Sequence, residues 1–246
     1  MSSVFCKQFK IDQTHSDPWG RAKPSALLFF SQSAAEGHCV ELGVDRPALT
    51  EKGLFWALIR NYMQIQRLPA AGETITVETW PMPTTRTAYP RSTVGYDETG
   101  EVLFRSVSLW VLMDEKTRAM VLPGKSNVMV DGFLRGTEAE LPKSLSPSEG
   151  KAQICRQVSP EDLDINNHMN NARYVDWLYD LMPTEFHREH PLKEFTICYL
   201  AEALEGQVLS LNWTLDETQN LRVDASRGRT DVPDKQERIF TAHLQF

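Results

Sequence analysis

A chain of 246 residues, 41% apolar and 24% charged, is long enough for one large domain or two small ones, and its composition is that of a folded core rather than a disordered segment. A formal net charge of −7 speaks against nucleic acid as a partner, and no apolar run is long enough to cross a bilayer, so no membrane role is expected. The four cysteines (Cys6, Cys39, Cys155 and Cys198) form no CxxC pair and read as free thiols; with no apolar leader at the N-terminus, the expected location is cytoplasmic.

Residues 4–11 alternate as a strand does. A helix follows over 24–42, with Pro24 at its start and Gly43 at its end, and its Ala26-Leu27-Leu28-Phe29-Phe30 segment is apolar almost all round, as in a buried helix. Strand-like stretches cover 56–68, 73–80, 86–96 and 102–113, the last two joined by the turn Asp97-Glu98-Thr99-Gly100. From Pro123 onward the chain is rich in Gly, Pro, Ser and Glu and loses its period, although 128–134 can form a short ordered piece. The plan then repeats: a strand at 152–158, a helix at 170–182 stopped by Pro183, and strands at 194–203, 207–215, 220–226 and 237–246. The predicted organisation is therefore an N-terminal unit over 1–125, a linker over 126–150 and a C-terminal unit over 151–246. Each is an α+β unit with antiparallel sheet wrapped around a buried helix.

The densest polar cluster is Asp162-Leu163-Asp164-Ile165-Asn166-Asn167-His168-Met169-Asn170-Asn171, directly ahead of the second helix. Asp164, Asn166 and His168 lie two apart, which in extended chain puts them on one side, and a loop could bring them closer still. Helix capping explains the asparagines at 170 and 171 well and a histidine among them poorly; taken alone, His168 is either an ordinary hydrogen-bonding residue or part of a site. Glu202 closes the run Phe195-Thr196-Ile197-Cys198-Tyr199-Leu200-Ala201, where period two aligns it with Thr196, Cys198 and Leu200. It is either a solvated strand end or a carboxylate held for proton transfer.

The stretch Asp164-x-Asn166-x-His168-Met169-Asn170-Asn171-x-Arg173-Tyr174-x-x-Trp177 resembles the signature of the acyl-acyl carrier protein (acyl-ACP) thioesterases of plant plastids and bacteria. Trp56, Gln66-Arg67-Leu68-Pro69-Ala70-Ala71-Gly72-Glu73 leading to Thr79-Trp80, and Ser108-Leu109-Trp110-Val111-Leu112 with Thr117-Arg118 match landmarks of its first half. The likeness covers nearly the whole chain and is weakest beyond Leu215. It implies a double hotdog, two tandem units, with the acyl-chain pocket shaped by the first and the catalytic residues in the second. It also implies hydrolysis of a fatty acyl group carried on the phosphopantetheine of ACP. The resemblance maps Asp164, Asn166, His168 and Glu202 as the catalytic set. Where the family often has a cysteine after that glutamate this chain has Ala203, which excludes a thiol nucleophile there.

In the implied reaction Glu202 draws a proton from water with His168 assisting, or the two exchange these roles. Asn166 faces the oxyanion and Asp164 holds Asn166. Leu27, Leu28, Phe29 and Phe30 are either tunnel lining or plain core. Arg173, Arg222, Arg227 and Arg229 are candidates to meet an acidic carrier. An acyl-CoA thioesterase, a hydratase on the same scaffold and a non-catalytic acyl-binding sensor are the competing readings. No cofactor and no metal are implied, since His168 has no ligand partners at metal spacing. Monomer and homodimer are both compatible with tandem units.

Overall fold

Strand β1 (Phe5–Lys10) begins the first unit and leads, through a single 3-10 turn capped by Asp12, into helix α1 (Pro24–Glu41). Pro24 sits in the first turn of α1, where its missing N–H is no loss, and Gly43 follows the last turn at φ 65°, a left-handed conformation that favours glycine. Leu27, Leu28 and Phe30 of α1 are buried, while Phe29 is 47% exposed, so the helix is not apolar all round. It packs against β1 and β3 (Thr74–Pro81).

A short helix α2 (Arg46–Thr50), capped by the Asp45 carboxylate, precedes β2 (Leu54–Ile65). Strands β4 (Tyr89–Tyr96), β5 (Val102–Asp114) and the two-residue β6 (Met120–Val121) complete the sheet. Its order is β1-β3-β4-β5-β2, antiparallel throughout, with β6 against β5. Strand β4 starts three residues later than the sequence pattern suggests. The Thr85 hydroxyl accepts from the backbone of Ala88 at 2.9 Å and holds a turn there instead.

The computed structural model describes residues 4–147, 150–228 and 235–246, and the chain divides into two units, Met1–Pro142 and Lys143–Phe246. Residues 126–142 thus group with the first unit. Among them Val128 is buried, and the Glu138 carboxylate accepts from the indole of the fully buried Trp80 at 3.2 Å. The Arg135 guanidinium lies 4.8 Å from the Trp80 ring and pairs with Glu78 at 2.6 Å. Gly132 crosses so close to β3 that a Cβ there would stand 1.9 Å from the Met82 carbonyl oxygen. The composition of this stretch reads as a connection because its anchoring residues have no period, although each is fixed by a specific contact.

The second unit holds β7 (Ala152–Gln157), α3 (Asn171–Tyr179), α4 (Thr184–Glu189), β8 (Glu194–Tyr199), β9 (Val208–Leu215), β10 (Asn220–Gly228) and β11 (Gln236–Gln245). Its antiparallel sheet runs β8-β11-β10-β9-β7. Helix α3 lies on this sheet through Tyr174, whose ring meets those of Tyr199 and Phe240 edge-on at 5.2 and 5.0 Å. α3 ends at Tyr179, before the position the sequence suggests, and α4 follows after Pro183. Among the described residues no helix is long and apolar enough to cross a membrane.

Candidate active site

The polar cluster ahead of α3 is a loop anchored at its base by Asp162. This carboxylate is only 7% exposed and accepts from the backbone and hydroxyl of Ser159 at 2.9 and 2.8 Å, and from the indole of Trp177 at 3.1 Å. The Asp162 carbonyl accepts from Asn170 N–H at 2.8 Å, and Asn170 in turn caps α3 by accepting from Ala172 N–H at 2.9 Å. A buried carboxylate with several donors is a stable anchor because each bond is charge-assisted.

Between these anchors the chain is not extended. Leu163 and Met169 face each other as an isolated antiparallel bridge, and Asp164 N–H donates to the His168 carbonyl at 2.8 Å. Asn167 makes the turn possible by taking φ 59°, a conformation asparagine tolerates better than most residues. Asp164 fills the turn. One of its oxygens accepts from the backbone of Asn166 at 2.8 Å and of His168 at 3.4 Å, and the other accepts from the Asn166 side-chain amide at 3.3 Å. The two-residue spacing therefore converges through an Asp-centred turn rather than along a strand.

His168 also forms an isolated bridge with Leu204, and Met169 N–H donates to the Ala203 carbonyl at 2.8 Å. This places the His168 Nε2 3.5 Å from the Glu202 Oε2, with the two side chains 25% and 44% exposed. All four residues singled out from the sequence thus lie in one region of the second unit. The carboxylate does not stand on a strand, however. Leu200 and Ala201 both donate to the Ile239 carbonyl, at 2.8 and 3.1 Å, which breaks the alternation and ends β8 at Tyr199. Glu202 is on the loop beyond, out of register with Cys198, whose buried thiol donates to the Lys143 carbonyl at 3.7 Å.

Two neighbours were not assigned to the site from sequence. Tyr174 is buried with its hydroxyl against the backbone of Ala203, and burial pushes its ionisation well above the ordinary tyrosine range, so it stays a neutral prop. Arg227 donates to the Glu202 carbonyl at 2.9 Å, contacts Gln207 and pairs with Glu237 at 2.7 Å. It ties down the glutamate's loop instead of standing free for a partner. Arg173 is likewise engaged, with Asp176 at 3.1 Å and the Glu161 carbonyl at 3.0 and 3.1 Å. Arg229 lies outside the described residues. Tyr174 was inside the motif, but nothing in its spacing reveals contact with residue 203. Among the described residues no group of three His, Cys, Asp or Glu is arranged to hold a metal ion.

The acyl-ACP thioesterase N-terminal domain matches residues 2–123, and the acyl-ACP thioesterase C-terminal domain matches residues 149–241. The chain belongs to the acyl-ACP thioesterase family. Among curated members of this family, the palmitoyl-acyl carrier protein thioesterase of Gossypium hirsutum is 26% identical over 87% of the chain, and the dodecanoyl-[acyl-carrier-protein] hydrolase of Cinnamomum camphora is 28% identical over 84%. Those alignments cover 56% and 58% of the relatives, so the chain spans somewhat over half their length. The crystal structure of an acyl-ACP thioesterase from Bacteroides thetaiotaomicron superposes with a TM-score of 0.82 at 22% identity, covering 99% of this chain and 97% of the other. The 12:0-ACP thioesterase of Umbellularia californica gives 0.81 at 23%, covering 98% and 96%. The family's fold is thereby shared: this is an α+β double hotdog of two tandem units.

Proposed function

We propose that this protein hydrolyses fatty acyl-ACP to free fatty acid and ACP, with Asp164, Asn166, His168 and Glu202 as its catalytic residues. The observation that carries the reading is the 3.5 Å approach of the His168 imidazole to the Glu202 carboxylate beside the Asp164–Asn166 turn. The names of its relatives, which act on acyl-ACP, support the choice of carrier.

A thioester is hydrolysed when water is made nucleophilic and the carbonyl oxygen is stabilised as it gains charge. Glu202 takes a proton from water, and His168 steadies the carboxylate and shares the proton. The resulting hydroxide attacks the carbonyl carbon. One N–H of the Asn166 amide is committed to Asp164, and the second is available for the oxyanion. Collapse breaks the C–S bond, and the phosphopantetheine thiolate leaves with the proton taken from water. Asp164 acts by fixing the amide, and Arg227 by fixing the backbone of Glu202.

The first unit, in this reading, receives the acyl chain. A reducing compartment such as the cytoplasm suits the four free cysteines. The deciding experiment measures thiol release from acyl-ACP and acyl-CoA side by side, with the native protein and His168→Ala. Release from acyl-ACP that falls by about 10²-fold or more in the variant is the expected result. Near-full hydrolysis by His168→Ala overturns the site assignment, and release from neither substrate overturns the activity.

A further inference from the structure

The face of the first sheet that meets α1 should be apolar, since a buried helix and a sheet normally exclude water between them. Here its centre is polar. A narrow slot of about 10 Å³, room for one water-sized group, lies between Ser31 and Gln32 of α1 and Asn61, Arg91, Thr93 and Ser106 of the sheet. Arg91 is 7% exposed. One end of its guanidinium lies 3.0 Å from His38 Nδ1 and donates to the Thr79 hydroxyl at 3.3 Å, and the other approaches the Cys39 sulfur at 4.0 Å. Among the described residues no carboxylate pairs with it. Burial of an uncompensated cation is costly, and so is burial of an unbonded polar atom.

Three such atoms stand around Arg91 and the slot. His38 is fully buried with Nε2 unpartnered, Asn61 is 1% exposed with Oδ1 unpartnered, and Gln32 Nε2 is buried without a partner. The Asn61 amide nitrogen is already used on the Ser106 hydroxyl at 3.0 Å, so only its acceptor is open. The set thus offers N–H donors from Arg91 and Gln32 and an acceptor from Asn61 to a group of single-atom size. A methylene satisfies none of them. A hydroxyl, which both accepts and donates, satisfies both kinds.

We infer that this slot reads a hydroxyl group on the acyl chain, so that the substrate class is hydroxylated rather than plain fatty acyl thioesters. The inference rests on the thioesterase reading above and deepens it. Arg91 and Gln32 donate to the chain oxygen, and its proton goes to Asn61. A plain chain leaves the slot to a resident water, which the chain hydroxyl displaces while reproducing its hydrogen bonds.

The test compares kcat/KM for ACP carrying a saturated acyl group with a series bearing one hydroxyl at successive carbons of the same chain, alongside keto counterparts. Native protein favours at least one hydroxylated position by about tenfold or more, and Arg91→Met and Asn61→Leu bring that ratio close to one. Free hydroxy fatty acid and its plain parent are titrated calorimetrically into native protein, which keeps the question open to decision if either variant fails to fold. The hydroxy acid binds about tenfold or more tightly. Plain chains hydrolysed and bound as well as every hydroxylated one overturn the inference and leave a resident water only. Preference for keto over hydroxy chains also overturns it, because the Asn61 acceptor then has no role. Preferential binding of the hydroxy acid with no thiol release from any substrate sustains the slot and sinks the thioesterase reading instead.

Discussion

The four catalytic candidates differ in what their loss removes. His168→Ala and Glu202→Ala each delete one side of the 3.5 Å pair, and each is expected to lower kcat by about 10²–10⁴-fold. Asn166→Ala removes an oxyanion donor and should cost about 10²–10³-fold with little change in KM, whereas Asp164→Asn should cost less, since an amide oxygen can still accept from the turn. Steady-state kinetics with matched circular dichroism checks all four; an Asp164→Asn loss equal to that of Asn166→Ala would contradict its supporting role. His38 provides a separate test by pH. Burial, helped by the Arg91 charge, pulls its pKa down to about 4 from an ordinary 6.5. The unfolded chain therefore binds a proton in this window that the folded chain refuses, and stability falls as pH is lowered from about 6.5 towards 4. The Asp97 and Asp216 turns, with carboxylates held at about 2, lose their contribution only at lower pH. Urea unfolding across this range should show a decline that His38→Gln flattens, and a slope unchanged in that variant would count against the assignment.

At the scale of elements, contacts rather than periods decide what substitution does. Asn170→Ala removes the side-chain cap of α3 and is expected to cost about 1 kcal/mol in denaturant unfolding, while Asn171→Ala, inside the first turn, should cost less. Gly132→Ala drives a methyl into the Met82 carbonyl and should destabilise by about 1–3 kcal/mol, or displace the 128–138 segment. Neither the Gly132 crossing nor the Trp80–Glu138 bond could be read from composition, because a loop held by single contacts has no repeating pattern. The strands flanking Asp97–Gly100 were legible, since alternation and a Gly turn are local signals. Helix α3 was legible for the same reason, down to its asparagine cap. Six-residue α4 was too short for a period. The candidate site was legible only through the motif. Spacing left both an extended row and a converging loop open, and the Asp164 turn takes the second; the end of β8 at Tyr199 depends on a carbonyl of Ile239 that no local pattern indicates. The Arg91 cluster was missed although Arg91 shares a strand face with Thr93, because a charged residue in an alternating strand ordinarily marks the solvent side.

For the molecule as a whole, the proposed reaction makes the field that an approaching acyl carrier meets the relevant quantity. The chain carries a formal charge of −7, and two of the arginines that sequence offered for docking, Arg173 and Arg227, are already paired with Asp176 and Glu237. Neither offsets the long-range repulsion felt by an acidic carrier. Screening shortens that repulsion: the Debye length falls from about 30 Å at 0.01 M salt to about 8 Å at 0.15 M. Association should therefore become easier over this range, and kcat/KM for acyl-ACP should rise a few-fold while kcat, measured with the site filled, stays level. Stopped-flow or initial-rate assays at fixed pH resolve the two parameters. If kcat/KM instead falls steadily as salt is added, attraction dominates the encounter, and a cationic docking surface built from other residues must outweigh the net charge.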